Sequence, residues 1–424
     1  MLVEIGIGLI VGSVGSLISS LKFHSSFDLS KSFLSACKTL GLTVTYGEEI
    51  ALPSVNKTVP FEWGTRLIVG LPVGLSSQKV IDQRVPLAEA LRVDPDNVEM
   101  RYANDGLIVD VITAKMPTML AYSVGATSPH PYRIMIGVNR RGEPRYYDFD
   151  GPFPHLLIGG ISGGGKSVML RSILTTLATG PAPDMYLCDL KGGVELGIFR
   201  DLACVAGFAS TLPDVRTAAT AVESEMLRRY AVMAANGTQQ WAGKKTLFVV
   251  DELADFKTRA GDPDAKLKNE IKAVLTRLSA KGRAAGVLLV LATQRPSADV
   301  VDGLIKTNIA ASVCFRTRDG VQSRIVIDSP DAASLPDIPG RLIFQTAYDE
   351  TLQAPYLSAD DAKKLIAELP KKSKDDFRNP EVPIKITDVE ENVCTFKQKE
   401  EPRHVDANPH TSEVNPLDGN SIEL

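Results

Sequence analysis

Short apolar runs recur through the middle of the chain: His155-Leu-Leu-Ile-Gly159, Met185-Tyr-Leu-Cys188, Thr246-Leu-Phe-Val-Val250, Val287-Leu-Leu-Val-Leu-Ala292, Ala311 to Phe315 and Arg341 to Phe344. A strand that is apolar at nearly every position must be covered on both faces, so these runs predict the buried strands of a mainly parallel sheet. Between them, apolar positions at helical spacing predict helices over 168–178, 222–235 and 266–282. Strands alternating with helices predict an α/β domain over residues 136–369. Polar residues gather where the strands end: Asp189, the pair Asp251 and Glu252, and Gln294. In such sheets the ligand crevice lies at the C-terminal ends of the strands.

The pattern before this domain is more mixed. Helices are expected over 33–40 and 85–91. Strands are expected over 66–70, 98–102 and 107–112, the last two turning at Asn104-Asp-Gly106. Residues 24–135 therefore read as a small α+β domain, with no residues at catalytic spacing. Residues 5–21 carry no charge. Their length is the short end of a membrane span, and Gly8 and Gly12 make a G-x-x-x-G. The run, within residues 1–23, is either an anchor that leaves the bulk of the chain in the cytoplasm or a buried segment of a folded domain. From Pro370 the composition turns polar and loses its period, so residues 370–424 read as a disordered tail.

Composition narrows the chemistry. With 424 residues there is room for two or three domains. A net charge of −4 gives no global basic field, so any contact with nucleic acid must come from local patches. The five cysteines, Cys37, Cys188, Cys204, Cys314 and Cys394, form no C-x-x-C pair and no metal spacing. Free thiols in a reducing, cytosolic compartment fit them.

Residues Gly160 to Ser167 read Gly-Ile-Ser-Gly-Gly-Gly-Lys-Ser, which is G-x-x-x-x-G-K-[ST], between an expected strand and an expected helix. Glycines let successive backbone N–H groups turn toward phosphate oxygens, and the helix presents its positive end to the same phosphates. The backbone of Gly160, Ile161, Ser162, Gly163, Gly164, Gly165, Lys166, Ser167 and Val168 is the expected nucleotide cradle. Lys166 can reach the β- and γ-phosphates, and the Ser167 hydroxyl can ligate Mg²⁺. At the end of the strand 246–250, Asp251 can hold Mg²⁺ beside Ser167. Glu252 can then deprotonate the water that attacks the γ-phosphate. Gln294 can bond the γ-phosphate or that water, or be only a polar strand end. His155 reads as a packing histidine.

Four blocks resemble the FtsK/SpoIIIE family of DNA-translocating ATPases: Pro154 to Ser167; Asp189-Leu-Lys-Gly-Gly-Val-Glu-Leu196; Val249-Val-Asp-Glu-Leu-Ala-Asp255; and Arg283 to Ser297, which contains Ala292-Thr-Gln-Arg-Pro296. The resemblance covers roughly 140–350, and more weakly 60–115. It implies a RecA-like P-loop domain that binds ATP and Mg²⁺ and assembles as a ring, usually a hexamer, around double-stranded DNA. The family usually has Asp-Pro-Lys where this chain has Asp189-Leu-Lys191. The tail does not resemble the family's orientation-reading module, which points to a compact relative such as one from a conjugative or phage-like element. The alternative is a membrane-associated coupling or secretion ATPase that recruits a nucleoprotein or protein substrate.

A ring motor must link each site to its neighbour, and an arginine reaching across the interface does this. Arg228, Arg229, Arg283, Arg295 and Arg324 compete. Glu225-Met-Leu-Arg-Arg-Tyr230 resembles the family helix that carries such an arginine, which points to Arg229. The competing reading is a surface ion pair with Glu225.

Overall fold

The computed structural model describes residues 28–123, 131–301 and 303–372. The uncharged run 5–21 and the polar tail beyond Lys372, with Cys394, lie outside the described residues.

A ten-stranded sheet forms the centre. Its spatial order is Val205–Ala209, Asp184–Cys188, Thr246–Val250, Val287–Thr293, His155–Gly159, Ala311–Phe315, Arg341–Gln345, Asp349–Gln353, Arg133–Val138 and Pro144–Asp148. The first six strands are parallel. The remaining four continue the sheet antiparallel. The parallel majority is what the apolar runs predicted, and the antiparallel extension makes the sheet mixed. Of these four, Arg341–Gln345 is one of the apolar runs read above, whereas Pro144–Asp148 and Asp349–Gln353 carry Arg145, Asp349 and Glu350 and leave no bare apolar run to read. The strand Arg133–Val138 also straddles the expected boundary between residues 135 and 136.

Helices cover both faces of this sheet. One core gathers Leu156, Ile158, Leu170, Leu174, Leu187 and Val249. The other gathers Leu157, Phe248, Val250, Leu275, Leu278 and Leu291. Adjacent residues of one strand thus enter opposite cores, the period-2 alternation that requires apolar residues throughout. The helix Leu212–Asn236 starts at Thr211, whose hydroxyl accepts the Asp214 N–H, and stops at Gly237 in the left-handed region with φ 63°.

Residues 28–112 build a second sheet in the order Ser54–Phe61, Gly64–Gly70, Gly106–Ile112 and Val98–Ala103, all antiparallel. Its inner face packs on the helices Leu29–Thr39 and Arg84–Ala90 through Phe33, Cys37, Leu67, Leu87 and Val109. The Asn104-Asp-Gly106 turn joins its last two strands as the sequence predicts. On its other face Asp110, 1% exposed, receives two bonds from Arg66 at 2.6 and 2.8 Å and one from Arg141 at 2.7 Å. Arg141 comes from the turn between Arg133–Val138 and Pro144–Asp148, so this carboxylate ties the small sheet to the large one.

Candidate active site

The P-loop strand His155–Gly159 runs straight into the helix Lys166–Thr179 through the glycine loop. Gly160 and Gly165 adopt φ of 146° and 127°. A Cβ on Gly160 would stand 2.6 Å from that of Phe315, and one on Gly165 2.9 Å from the Phe315 ring. Both positions therefore need glycine for conformation and for close approach. Gly163, with φ 82°, faces open space, so its backbone can lie against a phosphate. Two of the expected cradle amides are already used: Ile161 donates to the Arg316 carbonyl at 2.9 Å and Gly164 to the Ile161 carbonyl at 3.2 Å.

The acids arrive from a strand that is not the P-loop strand's neighbour. Val287–Thr293 lies between His155–Gly159 and Thr246–Val250. All three end at the same edge, which brings Asp251, Glu252, Thr293 and Gln294 opposite Lys166. The Lys166 ammonium donates to the Asp251 carbonyl oxygen at 2.6 Å and to the Asp251 carboxylate. Both residues are nearly fully buried. Glu252, 7% exposed, accepts from the Thr293 hydroxyl at 2.8 Å and from the Gln294 N–H at 3.1 Å. The Gln294 side chain borders a groove of about 1210 Å³ together with Ile161, Ser162, Lys191 and Glu252.

Sequence reasoning gave no role to Lys191 or to Thr293. Lys191 Nζ stands 3.4 Å from Asp251 Oδ2 and 3.5 Å from Glu252 Oε2. Burial works against its charge, but the two carboxylates outweigh burial and raise its pKa above the ordinary lysine value. The loop that carries it is wound around Asp189. That buried carboxylate accepts the N–H groups of Lys191 at 3.1 Å and of Glu195 and Leu196 at 3.0 Å. Burial and Glu252 also push the Asp255 carboxyl upward. The signal for Lys191 was present in the sequence: a lysine two residues past a strand-end acid, on the edge that carries the other acids. Thr293 precedes Gln294 in a strand whose side chains alternate, and only the strand order shows that it meets Glu252.

Arg229 requires a correction. It is 3% exposed and does not reach outward. Its guanidinium donates to Glu225 at 2.7 Å, to the carbonyls of Ala285 at 2.9 Å and Gly286 at 3.2 Å, and to the Thr246 hydroxyl at 2.7 Å. The Trp241 ring packs against it. The reason is the helix stripe Val215, Ala219, Val222, Met226, Arg229 and Met233, which is the buried face. All of these partners belong to Arg229's own chain. The Glu225 pair exists, but Arg229's end of it is buried rather than on the surface. Arg228 is the more exposed of the two and forks onto Glu225 at 2.7 and 2.8 Å.

The donor set fits a nucleotide with its ion. A glycine cradle meets a helix start, and a hydroxyl at Ser167 and a carboxylate at Asp251 lie at one sheet edge. Among the described residues no cluster of three or more His, Cys, Asp or Glu offers an all-protein metal cage. No helix among them is long and apolar enough to cross a membrane.

Residues 123–249 match the FtsK/SpoIIIE family. The DNA translocase FtsK of Lactococcus lactis is 28% identical over 362 residues, covering 78% of this chain and 45% of the relative. That of Helicobacter pylori is 32% identical over 263 residues, covering 56% and 30%. The chain thus spans less than half the length of these relatives. Among solved structures, the pCW3 conjugation coupling protein TcpA, a monomer form with ATPγS, is similar at a TM-score of 0.56 and 22% identity, covering 80% of this chain and 99% of that one. The cytoplasmic domain of the Thermomonospora curvata type VII secretion ATPase EccC is similar at 0.50 and 24%, covering 59% and 33%. These two likenesses establish the fold.

Proposed function

We propose that this chain, a relative of the FtsK/SpoIIIE family, hydrolyses ATP and uses the energy to move double-stranded DNA through a ring of its own copies. The observation that carries the reading is the convergence of Lys166, Asp251, Glu252 and Gln294 on one sheet edge. In this reading residues 136–369 are a RecA-like ATPase domain and residues 24–135 an accessory α+β domain.

Lys166 turns from Asp251 to the β- and γ-phosphates, where its charge offsets theirs. Ser167 and Asp251 would hold Mg²⁺, which would supply further positive charge at the phosphates. Glu252 takes the proton of the attacking water, and the Thr293 hydroxyl with the Gln294 N–H fixes the orientation of its carboxylate. The Gln294 amide orients the same water. Hydrolysis needs no covalent intermediate with the protein.

Arg259, Arg295 and Arg318 line the groove beside these residues and are exposed. They are the first candidates for phosphate-backbone contact. Lys257, Lys268 and Arg316 are already paired with Asp299, Asp262 and Asp337. For an arginine that crosses to a neighbouring site, the exposed Arg283, Arg295 and Arg324 remain as candidates. Residues 5–21 would anchor the assembly to a membrane.

The test is the steady-state ATPase rate of the full chain with duplex DNA, with single strands and without DNA. Stimulation by duplex alone supports translocation, and binding should weaken steeply with salt because contacts to the backbone release counterions. ATP hydrolysis that duplex DNA leaves unchanged overturns it and favours a coupling or secretion ATPase.

A further inference from the structure

We infer that Lys191 is a second cationic residue of the nucleotide site, one that contacts the γ-phosphate of a nucleoside triphosphate and so distinguishes triphosphate from diphosphate. This deepens the reading of the site as an ATP site and rests on it.

The placement of Lys191 is built into the fold. Asp189 is completely buried, and its three backbone bonds wind the loop that follows it. Gly192 and Gly193, both near φ 75°, turn the chain immediately after the lysine. The ammonium is thereby delivered over the acid pair.

The chemistry of the pair then decides what Lys191 can do. In this cluster two lysines face two carboxylates. Lys166 and Lys191 take opposite oxygens of Asp251, and Lys191 also approaches Glu252. The two ammonium groups balance these two carboxylates in formal charge, and the Asp255 carboxyl stands beside them. A triphosphate with its ion brings net negative charge into this cluster and draws Lys166 away. Lys191 keeps its place on the groove side, bordering the same space as Ile161 and Ser162 at the tip of the P-loop and Gln294. A general base stands one water from the atom that is attacked. A cation 3.5 Å from the Glu252 carboxylate therefore stands on the side of the site where the attacked γ-phosphate would lie. The α- and β-phosphates lie deeper, against the cradle and the helix start. An ammonium held here adds to γ-phosphate binding and little to diphosphate binding.

The contrasting possibility is that Lys191 only neutralises the two acids. That role would act on the free site, and its loss would change the affinity for both nucleotides alike.

The experiment is a titration of the full chain with Mg²⁺ and either ADP or the β,γ-imido analogue of ATP, for the wild type, Lys191→Ala and Lys191→Arg. We expect Lys191→Ala to weaken the imido analogue at least tenfold and ADP less than twofold, and Lys191→Arg to keep most of the preference. Equal weakening of both ligands, or of neither, overturns the inference while the ATP site stands. A wild type that binds neither nucleotide overturns both. Thermal unfolding without nucleotide identifies a misfolded Lys191→Ala, in which case Lys191→Gln carries the same comparison.

Discussion

The Lys166 ammonium, 2.6 Å from the Asp251 carbonyl oxygen, also bonds the carboxylate of the same residue. The lysine expected on the phosphates is thus bonded to the acid expected on the ion. Both side chains are at least 97% buried, so the pair contributes to folding as well as to the site.

Breaking this pair from one side should therefore destabilise the fold. Lys166→Ala leaves a buried carboxylate with Lys191 as its remaining cation, a loss of about 2 kcal/mol, below the full cost of an unpaired buried charge. Asp251→Asn leaves the ammonium facing a neutral amide. The double variant Lys166→Ala, Asp251→Asn removes both charges and should lose less than the sum of the two single changes. Urea unfolding without nucleotide measures this coupling. Strict additivity would mean that the pair contributes nothing. Each single change should also abolish ATP turnover.

Glu252→Gln keeps the shape of the side chain and removes the base. Turnover should fall by about 10²–10⁴ while ATP stays bound. Thr293→Val removes the hydroxyl that orients Glu252 and keeps the base, so turnover should fall less, about tenfold. Single-turnover rates with pre-bound ATP check both. Wild-type turnover in Glu252→Gln would take the base role away from Glu252.

The parts of this site that were legible in the sequence are those set by local pattern. The glycine loop follows a buried strand, and the acids follow another, because a strand covered on both faces leaves only its ends for charge. Strand order is different. Nothing local says that Val287–Thr293 inserts between the P-loop strand and the acidic strand, yet that insertion is what brings Thr293 to Glu252. Part of the antiparallel extension of the sheet was hidden for a related reason. Edge strands such as Pro144–Asp148 carry polar residues and have no apolar signature. The interior position of Arg229 was legible in principle. It falls in the 4-3-4-3-4 spacing from Val215 to Met233, a stripe that its charge disguises.

Stability below neutral pH should depend on His155. Burial, offset only in part by the Ser279 backbone, lowers its pKa from 6.5 to about 4. The Leu289 N–H donates to its Nδ1 at 3.2 Å, which requires the neutral ring. Between those two pH values the unfolded chain binds the proton and the folded chain does not. The stabilisation is therefore complete above about pH 6.5 and is lost as pH falls toward 4, by on the order of 3 kcal/mol. His155→Leu should flatten that part of the stability profile. Denaturant unfolding at pH 7.5, 6 and 5 for both proteins tests it, and an unchanged slope in His155→Leu would assign the dependence to other groups.

Arg229→Ala should behave as a core change and not as the loss of a finger. The guanidinium satisfies the Ala285 and Gly286 carbonyls and the Thr246 hydroxyl, and these join the loop before Val287–Thr293 and the start of Thr246–Val250 to the long helix. Removing it strands buried acceptors and opens space beside Trp241, a loss on the order of 3 kcal/mol. Glu225 keeps Arg228, so the carboxylate is not left alone. Lysine has too few donors in the wrong geometry to replace the fork, so Arg229→Lys should recover only part of the stability. Both central strands end in the acids and in Gln294, so activity should fall in step with stability. It should return when the temperature is lowered or nucleotide is added. A finger predicts the opposite pattern: normal unfolding, dead catalysis, and recovery when Arg229→Ala is mixed with Lys166→Ala subunits that supply an intact arginine. Unfolding curves together with such mixtures separate the two. A stable but inactive Arg229→Ala that mixing rescues would restore the role across the interface and show that this side chain leaves its pocket in the ring.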